Sequence, residues 1–174
     1  FTVEYALSHK SHCGRFVRPT RGAKVNMFIV AGASAHSSFK KAQLLNRLAS
    51  MSSVQSFDSQ WIYLFDQALD EQQQQSALQL LNDGASFELR QAASDEVQIL
   101  VTPRVGTISP WSSKATDIFA NCNTPVHRLE RGVLFTLKGI ADVSNELKQV
   151  LHDRMTESVF NHIDDAAALF TETE

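Results

Sequence analysis

Residues 99–118 read ILVTPRVGTISPWSSKATDI, and this stretch predicts a strand, an ordered loop and a helix within a short span. The apolar run at its start is rich in β-branched side chains and stops at a proline, which is typical of a buried strand. Pro110 and several hydroxyl side chains then indicate a polar but structured loop. Ser112 or Ser113 is a good N-cap, so a short helix is predicted over about 113–121.

Strands and helices alternate on the amino-terminal side of this stretch. Apolar runs at residues 28–30 and 61–65 (WIYLF) predict two strands. Between them, apolar residues at helical spacing over 44–51 predict an amphipathic helix. A second helix is predicted to begin after an Asp70 cap and to end at Gly84, which can adopt a left-handed conformation.

The same alternation continues on the carboxyl-terminal side. Alternating apolar residues over 126–137 predict a long strand, and Ser144 is a plausible cap for a long helix that closes the chain. The apolar residues of that helix repeat every four positions: Leu147, Leu151, Met155, Val159 and Ile163. The whole order, β-α-β-α-β-α-β-α, predicts an α/β or α+β fold with helices packed on a four-stranded sheet, and leaves the strand directions open.

Composition and charge exclude some classes of protein. The chain has 174 residues, of which 43% are hydrophobic, and a net charge of -3. Residues 1–26 carry five basic residues against one acidic residue, so the remaining eleven basic and eighteen acidic residues leave the body of the chain at -7. An acidic body argues against nucleic-acid binding. No apolar run is long enough for a membrane span, and the isolated Cys13 and Cys122 predict a reducing compartment, which points to the cytoplasm.

Residues 1–26 have no clean apolar period. His9, His12 and Cys13 lie close together, but no partner motif completes a set of four zinc ligands, so a metal site is not predicted. The stretch is basic, hydroxylated and nearly free of acids, which is also the composition of an organelle transit peptide.

Four segments carry a resemblance to a known family. VTPRVGTISPWSSKATDI at 101–118, HRLERGV at 127–133 and LHDRMTESVF at 151–160 are similar to the amino-terminal region of bacterial phosphoribosylformylglycinamidine synthase. The similarity extends back to MFIVAGASAHSSFKKAQLLNRL at 27–48, which resembles the usual start of that family. Residues 1–26 would then be a basic extension that is disordered or not native.

The resemblance implies a fold and a domain division. It implies an α+β domain over 27–141 with a mostly antiparallel four-stranded sheet and helices on one side, a fused duplicate of the family's small subunit. Residues 142–174 would form a helix that begins the linker region.

The resemblance also implies a function for the whole enzyme. This is the ATP- and glutamine-dependent conversion of formylglycinamide ribonucleotide to formylglycinamidine ribonucleotide. ATP, Mg²⁺ and the Cys-His-Glu glutaminase triad would belong to other domains of the same polypeptide, so the synthetase and glutaminase domains are the expected partners. This chain would hold no cofactor, metal or catalytic residue. Two other interpretations stay open: a stand-alone adaptor subunit, and a small regulatory module that binds a phosphate ester.

The chemistry present in the chain fits that expectation. The seven glycines stand in neither a dinucleotide-binding nor a Walker pattern, and Cys122 is expected to be a helix-end or buried thiol. His127 and Glu130 are three apart on a strand and cannot converge by themselves. The candidates for substrate or interdomain contact lie on the loop and on the last strand: Arg104, Thr107, Ser109, Trp111, Ser112, Ser113, Lys114, Arg128, Glu130 and Arg131.

Overall fold

The computed structural model describes residues 14–17, 27–85, 87–105 and 107–170. These residues form strands, four α-helices and a final 3-10 helix. In chain order they are β1 (Gly14–Val17), β2 (Met27–Ser34), α1 (Ser38–Met51), β3 (Ser56–Phe65), α2 (Glu71–Asn82), β4 (Glu96–Pro103), α3 (Pro110–Asn121), β5 (Leu129–Lys138), α4 (Asn145–Leu151), β6 (Glu157–Phe160) and the 3-10 helix (Ile163–Phe170).

All the strands belong to one sheet in the order β1-β2-β3-β5-β4-β6. Every neighbouring pair is antiparallel, and the central pair, β3 and β5, runs in continuous register from Ser56 opposite Lys138 to Phe65 opposite Leu129. The antiparallel α+β prediction is therefore confirmed. The prediction of four strands is wrong, because the described sheet has a further short strand at each edge, β1 and β6.

The four α-helices cover one face of the sheet, which we call the helix face. Two groups of apolar side chains lie beneath them, one under α2 and α3 and the other under α1 and α4. On β3, Phe57 and Phe65 both point to this face. Phe57 packs under α1 and α4, and Phe65 packs under α2 and α3. The helices on one side match the resemblance, whereas the duplication that it implies stays a prediction.

The opposite face, which we call the back face, is covered by the end of the chain. Strand side chains such as Ile62 and Leu64 pack there against Leu169 and Phe170 of the 3-10 helix. Ile62 and Leu64 are fully buried, because a strand that is covered on both faces has no side exposed to water. The 3-10 helix is thus part of the core.

The long closing helix predicted from residue 142 is not formed. Helix α4 ends at Leu151, and β6 then pairs with the outer edge of β4, from Leu100 opposite Phe160 to Pro103 opposite Glu157. The period of four misled the prediction because side chains four apart also share one face of a strand. In β6, Val159 packs on the helix face and Phe160 on the back face.

Two predicted helix caps are confirmed. The Asp70 side chain accepts from the Gln73 backbone N–H, and the Gln73 side chain accepts from the Asp70 N–H, so α2 begins with a capping box. Ser144 caps α4 by accepting from the Leu147 N–H. These two helix starts could be predicted because a capping side chain and the N–H that it binds lie within three residues of each other.

The amino-terminal extension is described only in part. Gly14–Val17 forms β1, which pairs with Met27–Val30 of β2, so this part of the predicted extension is a strand rather than disordered. The rest of the extension, with His9, His12 and Cys13, lies outside the described residues. Within the described residues, no helix combines the length and apolar character needed to cross a membrane.

We expect Gly139→Ala to lower the free energy of unfolding by about 3 kcal/mol, because Gly139 has φ +98° and an added Cβ would lie 2.5 Å from the Ser53 backbone oxygen. Gly84→Ala is the matched control. Gly84 has φ +83°, but its added Cβ meets only the flexible Gln79 side chain, so a loss of about 1 kcal/mol is expected. Chemical denaturation measures both, and equal losses would contradict the tight contact at Gly139.

Candidate functional site

The loop after β4 is held by backbone hydrogen bonds. The Arg104 N–H donates to the Thr156 carbonyl at 3.0 Å, and the Val105 N–H donates to the Ser158 hydroxyl at 3.3 Å. The Thr107 hydroxyl closes a turn by donating to the Arg104 carbonyl at 2.7 Å. The described part of the loop is therefore fixed on one side by the turn that leads into β6.

Helix α3 begins three residues earlier than predicted. Ser109 is its N-cap and accepts from the Ser112 N–H at 3.0 Å, so the expectation that Ser112 or Ser113 caps the helix is wrong. Pro110 occupies the first helical position, where its fixed φ favours the helix and its missing N–H costs nothing. Ser112 is buried and Ser113 is exposed.

The loop after β4 is hydrogen-bonded to a buried carboxylate on the back face of the sheet. Glu130 is 0% exposed and accepts from the Ser109 hydroxyl at 2.9 Å, from the Ser109 N–H at 3.3 Å and from Arg128 Nη2 at 3.0 Å. Arg128 also donates to the backbone carbonyls of Thr107 and Leu169, and its guanidinium lies over the Phe170 ring. We call Ser109, Arg128 and Glu130 the Glu130 network.

The next residue of β5 points to the other face. Arg131 lies with its Cζ atom 4.2 Å from the Trp61 ring centroid and 4.8 Å from that of Trp111. Tyr63 stacks on Trp111 with ring centroids 5.9 Å apart. We call Trp61, Tyr63, Trp111 and Arg131 the Arg131 stack. Burial lowers the pKa of Arg131, and burial also raises the pKa of Tyr63.

Arg128, Glu130 and Arg131 are close in sequence but lie on two faces of the sheet, because successive side chains along a strand point to opposite faces. Arg128 and Glu130 share the back face, where they form an ion pair that is largely removed from water. Arg131 occupies the helix face and remains half-buried. Of the other candidates, Arg104, Thr107, Ser113 and Lys114 have exposed side chains.

The start of α3 does not favour an added anion. The Ser112 N–H donates to the Ser109 cap, and the Ser113 N–H donates to the Ser109 carbonyl at 3.2 Å. The Glu130 carboxylate already lies beside the Ser109 N–H, where it complements the positive end of the helix dipole. A phosphate at this helix start would therefore be repelled by the chain's own carboxylate.

Residues 59–170 match the family described as formylglycinamide ribonucleotide amidotransferase N-terminal. The chain belongs to this family. The resemblance seen in the sequence is thereby confirmed, and the chain is placed in an amidotransferase of purine biosynthesis. Both the Glu130 network and the Arg131 stack lie inside the matched residues.

His127 and Cys122 are two further titratable residues of this amidotransferase domain. His127 pairs through Nδ1 with Asp66 rather than with Glu130, in agreement with the expectation that His127 and Glu130 do not converge. Asp66 also accepts from the Arg128 N–H at 3.0 Å. Cys122 is exposed at the end of α3, as its helix-end interpretation predicted.

In the part of the chain that the structure describes, His36 and Ser59 form a further pairing that resembles a base and a hydroxyl nucleophile. Their Nδ1 and Oγ atoms are 2.7 Å apart, and the His36 ring packs beside Phe57 and Phe135. Burial, and then the nearby Lys40, lowers the pKa of His36, but Ser59 is only 4% exposed. A substrate could not reach this hydroxyl without opening the core.

No metal centre is found in the part of the chain that the structure describes, where His, Cys, Asp and Glu form no group of three or more able to hold an ion. The residues that the sequence did not identify as site members are Trp61, Tyr63 and Asp66. Trp61 and Tyr63 were seen only as apolar strand residues, because no local pattern says which partner a strand side chain meets.

We expect Glu130→Gln to lower the free energy of unfolding by about 3 kcal/mol, since it leaves the Arg128 charge without its buried counter-ion. Asp95→Asn is the matched control. It removes a carboxylate whose 3.6 Å ion pair with Lys138 is half-exposed, and a change below about 1 kcal/mol is expected. Urea denaturation distinguishes the two, and a small loss for Glu130→Gln would mean that the network does not hold the loop.

Proposed function

We propose that this chain is the amino-terminal, non-catalytic docking domain of the ligase that converts formylglycinamide ribonucleotide to formylglycinamidine ribonucleotide in de novo purine biosynthesis. The observation that carries the proposal is the hydrogen bonding of three candidate polar side chains. Ser109, Arg128 and Glu130 hydrogen-bond to one another and to loop backbone instead of lining a cavity. Such an arrangement fixes the shape of a surface and uses these three side chains in internal hydrogen bonds.

The chemical steps are assigned to other domains of the same polypeptide. In this proposal the amide oxygen of the substrate is phosphorylated at the expense of ATP in a Mg²⁺-dependent synthetase domain. Ammonia released from glutamine by a glutaminase domain then displaces the phosphate. This chain supports those domains by packing against them and contributes no group to either reaction.

A specific surface fits the docking role. Ile108 and Met155 are large apolar side chains that are 65% and 75% exposed, and Val105 beside them is also exposed. The loop that carries Val105 and Ile108 is hydrogen-bonded to the turn that carries Met155. We call these three residues the docking surface. Exposed apolar side chains on an ordered backbone are typical of a protein–protein contact.

The charges around the docking surface suit an acidic partner. Arg104 and Arg154 are both exposed next to it, although the body of the chain is acidic as a whole. Apolar contact at the centre with charged residues at the rim is the usual anatomy of an interface. We propose that the synthetase domain of the same polypeptide is the partner that covers this surface.

We expect Ile108→Asp in the full-length enzyme to weaken docking by about 2 kcal/mol, or about thirtyfold, because it places a charge where an apolar side chain is buried. The readouts are glutamine-dependent ligase activity and the rate at which limited proteolysis releases the amino-terminal domain. We expect lower activity and faster release.

Phe39→Asp is the matched control for this experiment. Phe39 lies on α1, is 72% exposed and is outside the docking surface, so the same change of residue class should leave both readouts as in the wild type. Equal behaviour of the two variants would show that the docking surface is not at Ile108.

A further inference from the structure

The Arg131 stack places a guanidinium against two indole rings. The Cζ atom of Arg131, on β5, lies over the Trp61 ring of β3 and over the Trp111 ring of α3. Stacking on aromatic faces uses the π face of the guanidinium and leaves its N–H groups pointing outward in the plane. The charge is therefore fixed in position while its hydrogen-bonding edge stays available.

Among the described residues, no acceptor is hydrogen-bonded to the donors on that edge. Within the described residues, the Arg131 guanidinium makes contacts with rings and forms no hydrogen bond or ion pair. Two other arginines differ in this respect, since Arg128 pairs with Glu130 and Arg90 pairs with Asp58 and Glu96. A half-buried cation without a counter-ion is costly, and burial lowers the pKa of Arg131 accordingly.

The backbone beneath the stack keeps it rigid. Gly32 on the neighbouring strand lies so close that a Cβ there would come within 2.8 Å of the Tyr63 ring and 3.0 Å of Trp61 Cβ. The two aromatic residues of β3 therefore pack directly on β2, and Tyr63 in turn supports Trp111. A site that is rigid before its ligand arrives loses little conformational entropy on binding.

We propose that the Arg131 stack is a binding site for a carboxylate. A carboxylate is planar and can accept two parallel N–H···O bonds from the edge of the guanidinium. Its single negative charge matches the single positive charge held against the indoles, whereas a phosphate ester usually carries more charge and calls for further cations. The carboxylate can belong to a dissolved acid or to an acidic side chain of another protein domain. The site does not depend on the docking function proposed above.

Tryptophan fluorescence can report on binding at this site. It has only two tryptophans, Trp61 and Trp111, and both flank Arg131. Intrinsic fluorescence therefore arises from indoles in contact with the proposed ligand-binding guanidinium. The experiment is a fluorescence titration of the full chain with acetate, with N-acetylaspartyl amide and with inorganic phosphate, each at an ionic strength held constant with sodium chloride.

We expect a saturable change in tryptophan emission with acetate that is absent with chloride. A similar response to N-acetylaspartyl amide assigns the site to acidic side chains of proteins as well as to dissolved acids. A response to acetate alone assigns it to small dissolved carboxylates. Phosphate should bind more weakly than acetate.

Variants separate a specific site from a general effect of anions. Arg131→Met should weaken acetate binding at least tenfold, and Arg131→Lys, which keeps the charge but loses the planar fork, should give an intermediate affinity. Arg90→Met removes a guanidinium that packs on the opposite face of the sheet, and it should bind acetate as the wild type does. Circular dichroism verifies that each variant folds, and Arg131→Lys decides the matter if Arg131→Met does not fold.

Three results would overturn the proposal. The first is that neither acetate nor N-acetylaspartyl amide gives a saturable response. The second is a response that is unchanged in the Arg131 variants. The third is an affinity for phosphate above that for acetate.

Discussion

The buried Glu130 carboxylate is the constraint on which the rest of the structure depends. A carboxylate with no exposure to water must be paired and hydrogen-bonded, and Ser109 and Arg128 supply those partners. Through Ser109 the carboxylate fixes the start of α3, and through Arg128 it reaches the Thr107 and Leu169 carbonyls. One side chain on a central strand thus holds both the loop after β4 and the end of the chain.

The alternation of β5 gives neighbouring residues two different roles. Glu130 faces the back of the sheet, where it accepts hydrogen bonds from Ser109 and Arg128. Arg131 faces the helices, where it lies over the Trp61 and Trp111 rings and has no acceptor among the described residues. The strand therefore contributes the carboxylate of a structural ion pair on one face and an open donor group on the other.

Local signals in the sequence were enough for much of the fold. The central strands and the caps at Asp70 and Ser144 could be predicted because each depends on a few adjacent residues. The edge strand β6 could not, because its apolar spacing also fits a helix and only pairing with β4 decides between them. The partners of Glu130 and Arg131 could not be predicted either. Ser109 is 21 residues from Glu130, and no pattern in a single sequence brings them together.

The central claim is that this chain is one docking domain within a large amidotransferase polypeptide. The most direct test is the mass of the native polypeptide that carries residues 27–170, measured by intact mass spectrometry or by blotting of its source cells. The account predicts a species many times larger than the 19.4 kDa of this chain. A native species close to 19.4 kDa would contradict it and would favour a separate subunit that assembles with its partners.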